Sequence, residues 1–581
     1  MPRIPVLIAT AVLVLAPAPA SAGWSPTPTP IRLTSSAIPV IACVSDGAAG
    51  AYVAWQEESS PGSGILRTQH VLPTGDLDPA WPADGIVACS DVGPRSEIGL
   101  VADPAGGCYA WWLAGSGTST ATLRVRRIGS DGTPDVRWPA SGKSLGTTLA
   151  SWRPSVIPDG SGGLYASWSS SSFAETGNNA LVARLGPTGA APAGWSPLVR
   201  AMGSLPDVNL SPAIARAADG GVFCVWARWS SDSTALPHAF CAKRLMPSGA
   251  LASGWPLDGL VLADFHPWAL RNLFKDQMVA AASDASGGFY ALLLDPVADD
   301  PSHDWMTTTV LRRQTDGTAS PAWPAAGPPL ADTPQPMLDG APPRLVSDGA
   351  GNVVAALPAA FTDSPPASIL RGYDPAGAAM LDGNGGWGSA FDVVGDPISG
   401  VHFASGLACW GPGPFGTSFR SAVSFRTYTP IETNDPSGAF YEGPDLPGCV
   451  FGDVSIAPVG DGGSITFFCR LSGATGLYAV KLNRAGLVTG VGGGAPHTLA
   501  IGRARFVEGA GARVAFTLPG GGGGRLALFD LGGRRVSELR AVATDAAEVT
   551  MEGTANLEPG VYFVRLSQGP RFAIAKLLVA R

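Results

Sequence analysis

Ser45-Asp-Gly-Ala-Ala-Gly-Ala-Tyr-Val-Ala-Trp55 decides the fold, because its pattern returns as Ala102-Asp-Pro-Ala-Gly-Gly-Cys-Tyr-Ala-Trp111 and Pro158-Asp-Gly-Ser-Gly-Gly-Leu-Tyr-Ala-Ser-Trp168. Each copy is an Asp-Gly-rich turn leading into an apolar run. The pattern comes back at residues 219–226, 284–293 and 348–357, and in degenerate form near Asp396 and Asp461. A second landmark, a Gly turn followed by Trp and Pro, falls at 75–82, 132–139, 189–197, 249–256 and 317–324. Successive landmark aspartates lie 57, 56, 60, 65, 64, 48 and 65 residues apart. A unit of that length has room for four strands, in the second copy roughly 99–102, 108–113, 123–128 and 143–149. A four-stranded meander repeated six to eight times is the sequence form of a β-propeller.

The run after the Asp turn is apolar on both faces, with Ala51, Val53 and Trp55 on one and Tyr52 and Ala54 on the other. A blade covered by two neighbours requires this, whereas an open sheet would keep one wet face. The turns themselves read as structure: Asp accepts backbone hydrogen bonds, Gly supplies positive φ, and Trp-Pro fixes the start of an edge strand. Gly23-Trp-Ser-Pro26 with Ile31-Arg-Leu33 looks like the outer-strand segment Gly194-Trp-Ser-Pro197 with Leu198 and Val199, while the last repeat lacks such a segment. The N-terminus is therefore expected to supply the outer strand of the final blade. The expected architecture is all-β, with a propeller of eight blades, alternatively seven, over 23–490. A Gly-rich linker (491–502) and a small Ig-like β-sandwich (503–581) follow.

The repeat matches neither the WD nor the kelch signature. It is loosely similar to the Asp-box of sialidase propellers, from which it differs in placing Gly-Gly before the aromatic. The C-terminal segment carries three motifs: Arg525-Leu-Ala-Leu-Phe-Asp-Leu-Gly-Gly-Arg-Arg-Val536, Leu557-Glu-Pro-Gly-Val-Tyr-Phe-Val-Arg-Leu566 and the terminal Lys576-Leu-Leu-Val-Ala-Arg581. Together they resemble the type A C-terminal sorting domain of the type IX secretion system, a relative of FlgD-type Ig-like domains. The resemblance implies export through that machinery to the cell surface or medium of a Gram-negative bacterium. It sets Asp530, Gly533, Arg534, Gly560, Tyr562 and Lys576 as the sorting-motif residues. Residues 503–511 depart from the family pattern, with neither Asn nor Pro. The period-two sets Phe516 and Leu518, Leu526 and Leu528, and Tyr562, Val564 and Leu566 predict a half-buried sheet without the resemblance.

The other end agrees with export. Arg3, the apolar run 4–15 and Ala20-Ser-Ala22 predict a signal peptide cleaved after Ala22. No stretch approaches the roughly 18 uninterrupted apolar residues of a bilayer-spanning helix, so no membrane span is expected in the mature chain. The net charge of -8 is thinly spread with no basic cluster, which makes nucleic acid an unsuitable partner.

In such a meander, the turns joining strands one to two and three to four emerge on one face, and both landmarks belong there. The longer loops 56–64, 169–179, 228–238, 295–305 and 358–367, with the blade connection 264–275, emerge on the other, where function is expected. Phe265, His266, Trp268 and Arg271 form the candidate binding platform for an extracellular glycan or protein ligand; plugging the central channel is the alternative. Asp295, Asp299, Asp300 and Asp304 offer enough oxygen ligands for calcium should their loop fold around an ion, though a solvated acidic loop fits the spacing better. Otherwise no cofactor is indicated. The six His lack paired metal-ligand spacing, and no nucleophile elbow or Walker motif occurs. Glu57 with Glu58, or Asp91 with Glu97, are the carboxylates placed for acid-base work. Cys449 and Cys469 are the best disulfide candidates; Cys43, Cys108, Cys224 and Cys409 fit as small core residues. The function expected is a noncatalytic binding face on an exported propeller. The alternatives are an extracellular carbohydrate-active enzyme, glycosidase or lyase, and a structural or adhesion component.

Overall fold

The computed structural model describes residues 24–579 except 25–27, 61–62, 94–96, 116–119, 150–152, 171–179, 197, 204–206, 230–237, 266–277, 297–304, 331–334, 337–342, 362–363, 388–389, 397–399, 409–420, 429–436, 442–450, 460–462, 471–474, 483–499, 508–510, 518–523, 532–533, 542–546, 552 and 569–570; in some strands it describes the backbone alone. Eight four-stranded antiparallel sheets follow one another along the chain. Their inner strands are Ile41–Ser45, Ile98–Ala102, Ser155–Pro158, Val208–Arg216, Val279–Ser283, Arg344–Ser347, Ala390–Asp396 and Phe451–Val459. Each inner strand lies beside the next, and the eighth returns to the first, closing a ring. We number the sheets as blades 1 to 8 in that order. The degenerate copies near Asp396 and Asp461 thus build full blades, which removes the seven-blade alternative.

The second unit has strands Ile98–Ala102, Cys108–Ala114, Thr120–Ile128 and Lys143–Leu149, within three residues of the expected ones. Its second strand is buried along its whole length, as is Leu164–Ser169 in blade 3. These strands pack on a neighbouring blade through both faces, which is why their sequence does not alternate with polar residues. Blade 8 is completed by the N-terminus: Thr29–Leu33 pairs antiparallel with Gly476–Leu482, Thr29 opposite Ala479 and Leu33 opposite Gly476. This is the expected strand exchange. Arg32 on that strand ties it to blade 1 by donating to Glu57 at 2.8 Å and pairing with Asp84.

The Trp of the second landmark does more than start an edge strand. In four copies its indole Nε1 donates to a carbonyl of the following blade: Trp24 to Pro73, Trp81 to Ser130, Trp138 to Pro187 and Trp195 to Pro247, at 2.9–3.2 Å. The receiving turn must lack a side chain at the contact. At Gly132, φ is +73° and a Cβ would come within 3.0 Å of the Trp81 ring. Trp24 performs this role across the ring closure, so blade 8 is joined to blade 1 by the same device that joins internal blades.

The Asp turn is a second girdle. Asp159 Oδ1 accepts from the backbone N–H groups of Ser161 and Gly163, as expected of a turn aspartate. Its other oxygen accepts from Arg184 on the third strand at 2.8 Å, and that guanidinium lies 5.3 Å from the centre of the Tyr165 ring. The Tyr165 hydroxyl donates to Gly220 O in the Asp turn of blade 4. The same Asp–Arg pair recurs as Asp103–Arg127, Asp219–Arg244 and Asp284–Arg312. In blade 1, His70 takes the place of Arg: it bridges Asp46 and Asp78 at 3.0 and 2.8 Å and stacks on Tyr52.

Strands from Ala500 onward make two further sheets. One holds Ala500–Val507, Gly511–Thr517 and Ala547–Thr550; the other holds Arg535–Ala541, Gly524–Phe529, Gly560–Gln568 and Arg571–Val579. Val514, Phe516, Leu526, Leu528, Val564, Leu566, Leu577 and Val579 form their shared core, so the period-two pattern reads onto a two-layer sandwich. The first strand begins inside the stretch assigned to the linker. Leu518 and the signal segment 1–22 lie outside the described residues.

Candidate functional site

The inner strands are apolar over most of their length, but at their leading halves the ring encloses a cavity of about 480 Å³ whose lining turns ionic. Five charged side chains reach it: Glu97 and Arg153 just ahead of the inner strands of blades 2 and 3, Arg344 opening that of blade 6, Asp392 in blade 7 and Asp453 in blade 8. Ile98, Leu100, Trp111, Val156 and Leu345 supply apolar wall, and Cys43 and Ser455 supply weaker polar groups. The leading ends of the inner strands are fed by the blade connections. The cavity therefore lies toward the face of irregular loops, opposite the Asp turns, which is the face expected to carry function.

Two of the carboxylates stitch the last seams of the ring. Asp453 accepts from the backbone N–H of Ile41 in blade 1 at 2.9 Å and from that of Val454. Asp392 accepts from Ser455 Oγ at 2.8 Å and from the N–H of Ile456, both in blade 8. Ser455 Oγ in turn accepts from the N–H of Cys43. Burial, with repulsion from Asp392, pushes the Asp453 carboxyl up to about 6 against the hydrogen bonds it accepts. Burial also pushes the Cys43 thiol well up, so it is no thiolate nucleophile.

The two arginines differ. Arg153 pairs with Glu97 at 3.1 Å. The Arg344 guanidinium makes no hydrogen bond or ion pair among the described residues; burial and the nearby Arg153 lower it to about 10, against attraction from Asp392, Glu97 and Asp453. One wall of the cavity thus carries a cation without a direct partner among the described residues.

Of the residues singled out from sequence, Glu97 lines this cavity, while Phe265, Asp295 and Glu57 fall elsewhere. Phe265 is buried in the core shared by blades 4 and 5, its ring 5.0 Å from Phe240 and 5.9 Å from His238, so it faces protein and offers no open stacking surface. An apolar ring at the end of an outer strand is drawn into the nearest blade seam, a preference that loop position alone does not reveal. His266, Trp268 and Arg271 lie outside the described residues. Asp295 sits in the strand Phe289–Pro296 opposite Thr307, whose hydroxyl donates to its carbonyl. Asp299, Asp300 and Asp304 lie outside the described residues, and among those described no cluster of three metal-ligating side chains occurs.

Glu57 is buried and binds Arg32, Arg67 and the Trp55 indole, which fixes it in the ring closure and away from the cavity mouth. Cys469 is a buried free thiol in the core between blades 8 and 1, so the disulfide with Cys449 is not formed; Cys449 and Cys409 lie outside the described residues. Its strand is covered on both faces, so the thiol serves as a small core group. Cys108 and Cys224 are core residues as expected, whereas Cys43 lines the cavity.

Of the sorting-motif residues, Asp530 Oδ1 accepts from the N–H of Arg534 at 2.9 Å and closes a hairpin turn. The bond spans four residues. Gly560 opens a strand, the Tyr562 hydroxyl donates to Glu558 O, and Lys576 is exposed on the last strand; Gly533 lies outside the described residues.

No protein-family model matches this sequence, and no curated protein does. Among solved structures, the BP39L lectin from Burkholderia pseudomallei is similar over 79% of this chain and 99% of its own, at 10% identity and TM-score 0.41. The polysaccharide lyase Uly1 is similar over 65% of this chain and 88% of its own, at 9% identity and TM-score 0.35. The Penicillium chrysogenum α-L-arabinanase complexed with arabinobiose is similar over 57% and 93%, at 10% identity and TM-score 0.29. At these values the likenesses add nothing to the sheets and side chains described above. The chain is an all-β protein whose repeated blades make a propeller.

Proposed function

We propose that this chain is an exported carbohydrate-binding β-propeller whose ligand occupies the cavity on the ring axis. The observation that carries the reading is the change of an apolar channel wall into one bearing Glu97, Arg153, Arg344, Asp392 and Asp453 where the ring is hollow. Charges so placed oppose burial and would be replaced by apolar side chains if packing were their whole purpose. Sugars suit such a wall, because carboxylates and guanidinium groups hold hydroxyl pairs while Trp111, Leu100 and Leu345 meet the C–H faces. A cavity of about 480 Å³ lies within the range of small-ligand sites.

Catalysis is a second reading, favoured by one observation: burial holds the Asp453 carboxyl up at about 6 beside a second cavity carboxylate, Asp392, and a raised carboxyl is what a general acid needs. The C-terminal sandwich is proposed as the sorting domain through which type IX machinery delivers the protein to the outer surface or medium. Its three motifs, in the family's order, support that part.

The test is titration calorimetry against a panel of oligosaccharides, with Ala281→Phe as the variant that puts a ring into the cavity from blade 5. Wild type should bind at least one class of saccharide, and Ala281→Phe should lose that binding with the fold intact by circular dichroism. Saccharide binding unchanged by that ring would remove the cavity as the site.

A further inference from the structure

We propose that the ligand of this cavity is an acidic sugar, a uronate, held through its carboxylate by Arg344. This rests on the reading of the cavity as a carbohydrate site. The other cavity arginine and the girdle arginines already have an anion. Arg153 has Glu97, and the girdle arginines 127, 184, 244 and 312 have Asp103, Asp159, Asp219 and Asp284. Arg344 lines the same cavity and has none at contact distance among the described residues.

The two cavity aspartates cannot turn to it without cost, because their oxygens already accept from backbone N–H groups of their own and neighbouring blades and from a Ser hydroxyl. Asp392 is held by Val393, Ser455 and Ile456, and Asp453 by Ile41 and Val454. Breaking those bonds to satisfy Arg344 would open the seam between blades 7, 8 and 1. A carboxylate brought in by the ligand meets the guanidinium fork in two parallel hydrogen bonds, the geometry in which arginine surpasses lysine. It would also offset the repulsion between Arg344 and Arg153, which face one cavity. Hydroxyl groups of the same ring would be left for Glu97 and the far edges of the aspartates, and the apolar wall for the ring's C–H face. A free small anion would gain the first contact and none of the others.

The experiment is calorimetric titration of the full chain with digalacturonate, with its neutral counterpart and with acetate, on wild type, Arg344→Gln and Arg344→Lys. The expected result is that wild type prefers the uronate over the neutral dimer by about ten- to hundredfold, the range for a charge-assisted hydrogen-bonding pair. Acetate should bind far more weakly than either. Arg344→Gln should bring uronate and neutral dimer to the same affinity, and Arg344→Lys should keep part of the preference. Equal affinity for the two dimers in wild type, or a preference that survives Arg344→Gln, overturns the proposal while leaving a carbohydrate site in place. Acetate binding as tightly as the uronate overturns it in favour of a simple anion site. If neither dimer binds, the cavity reading falls and this inference with it. Should Arg344→Gln fail to fold, the partial loss in Arg344→Lys decides.

Discussion

The outer girdle and the ring axis use the same residue types for opposite ends. At the girdle, Asp and Arg recur at fixed positions in blade after blade, each pair is closed within its blade, and a Tyr hydroxyl passes the contact to the next one. At the axis, Glu97, Arg153, Arg344, Asp392 and Asp453 come one each from five blades; Asp392 and Asp453 close their seams alike, each accepting from the N–H that follows it and from the next inner strand, but no Asp–Arg pair recurs there among the described residues. What recurs serves the repeat; what occurs once is free to serve a ligand. The comparison also separates two kinds of charge burial. In the girdle the buried aspartates 103, 159 and 284 each have an arginine, which removes most of the desolvation cost, whereas Arg344 is left exposed to that cost.

Breaking the girdle where it closes the ring should have the largest effect. Trp24 is buried between the last blade and the first and donates to Pro73 O, so Trp24→Ala should cost about 3–5 kcal/mol in urea unfolding. It should also expose the outer strand of blade 8 to pairing with other chains, seen as aggregation in light scattering. Next is Asp159→Ala. The turn alone would predict about 1 kcal/mol for a lost local hydrogen bond. The structure adds a buried Arg184 left without its carboxylate, so the expected loss is about 3 kcal/mol.

The smallest effect sharpens the comparison within the girdle, where blade 1 has His70 in place of Arg. Burial opposes the His70 charge, but the hydrogen bonds its ring donates to the Asp46 and Asp78 carboxylates, with their attraction, outweigh it and raise its pKa above 6.5. A raised pKa makes the contribution fully present below that ordinary value and lost as pH rises through the folded one. Wild type should therefore lose about 1 kcal/mol or less between pH 6 and 9 relative to His70→Arg, read from paired denaturation curves. A constant difference between the two proteins over that range would show that His70 is neutral in the fold.

The same distinction explains what was legible in the sequence. The Asp turns, the Trp-Pro landmarks and the N-terminal outer strand were readable because repetition marks them, and the two weak copies still form blades because backbone pairing tolerates lost turn residues. The arginine partners were missed, although a signal was present: Arg127, Arg184, Arg244 and Arg312 follow their aspartates by 24 to 28 residues. The cavity residues were harder. Arg344 and Asp392 lie four residues ahead of Asp348 and Asp396, Glu97 and Arg153 six ahead of Asp103 and Asp159, and Asp453 eight ahead of Asp461. A charge in that window of an otherwise apolar inner strand was the available sign, but it differs in sign and place from blade to blade. Only closure of the ring brings these residues together. Phe265 misled because an aromatic in a unique loop looks exposed until the adjacent seam is seen to take it in.

The most direct test of the division between girdle and axis is saccharide affinity measured side by side on Asp159→Ala and Ala281→Phe, each with its unfolding curve. Asp159→Ala should unfold earlier yet bind as wild type does, and Ala281→Phe should stay folded and lose binding. A folded Asp159→Ala protein that no longer binds, beside an Ala281→Phe protein that binds normally, would contradict the account and place recognition on the opposite face of the propeller.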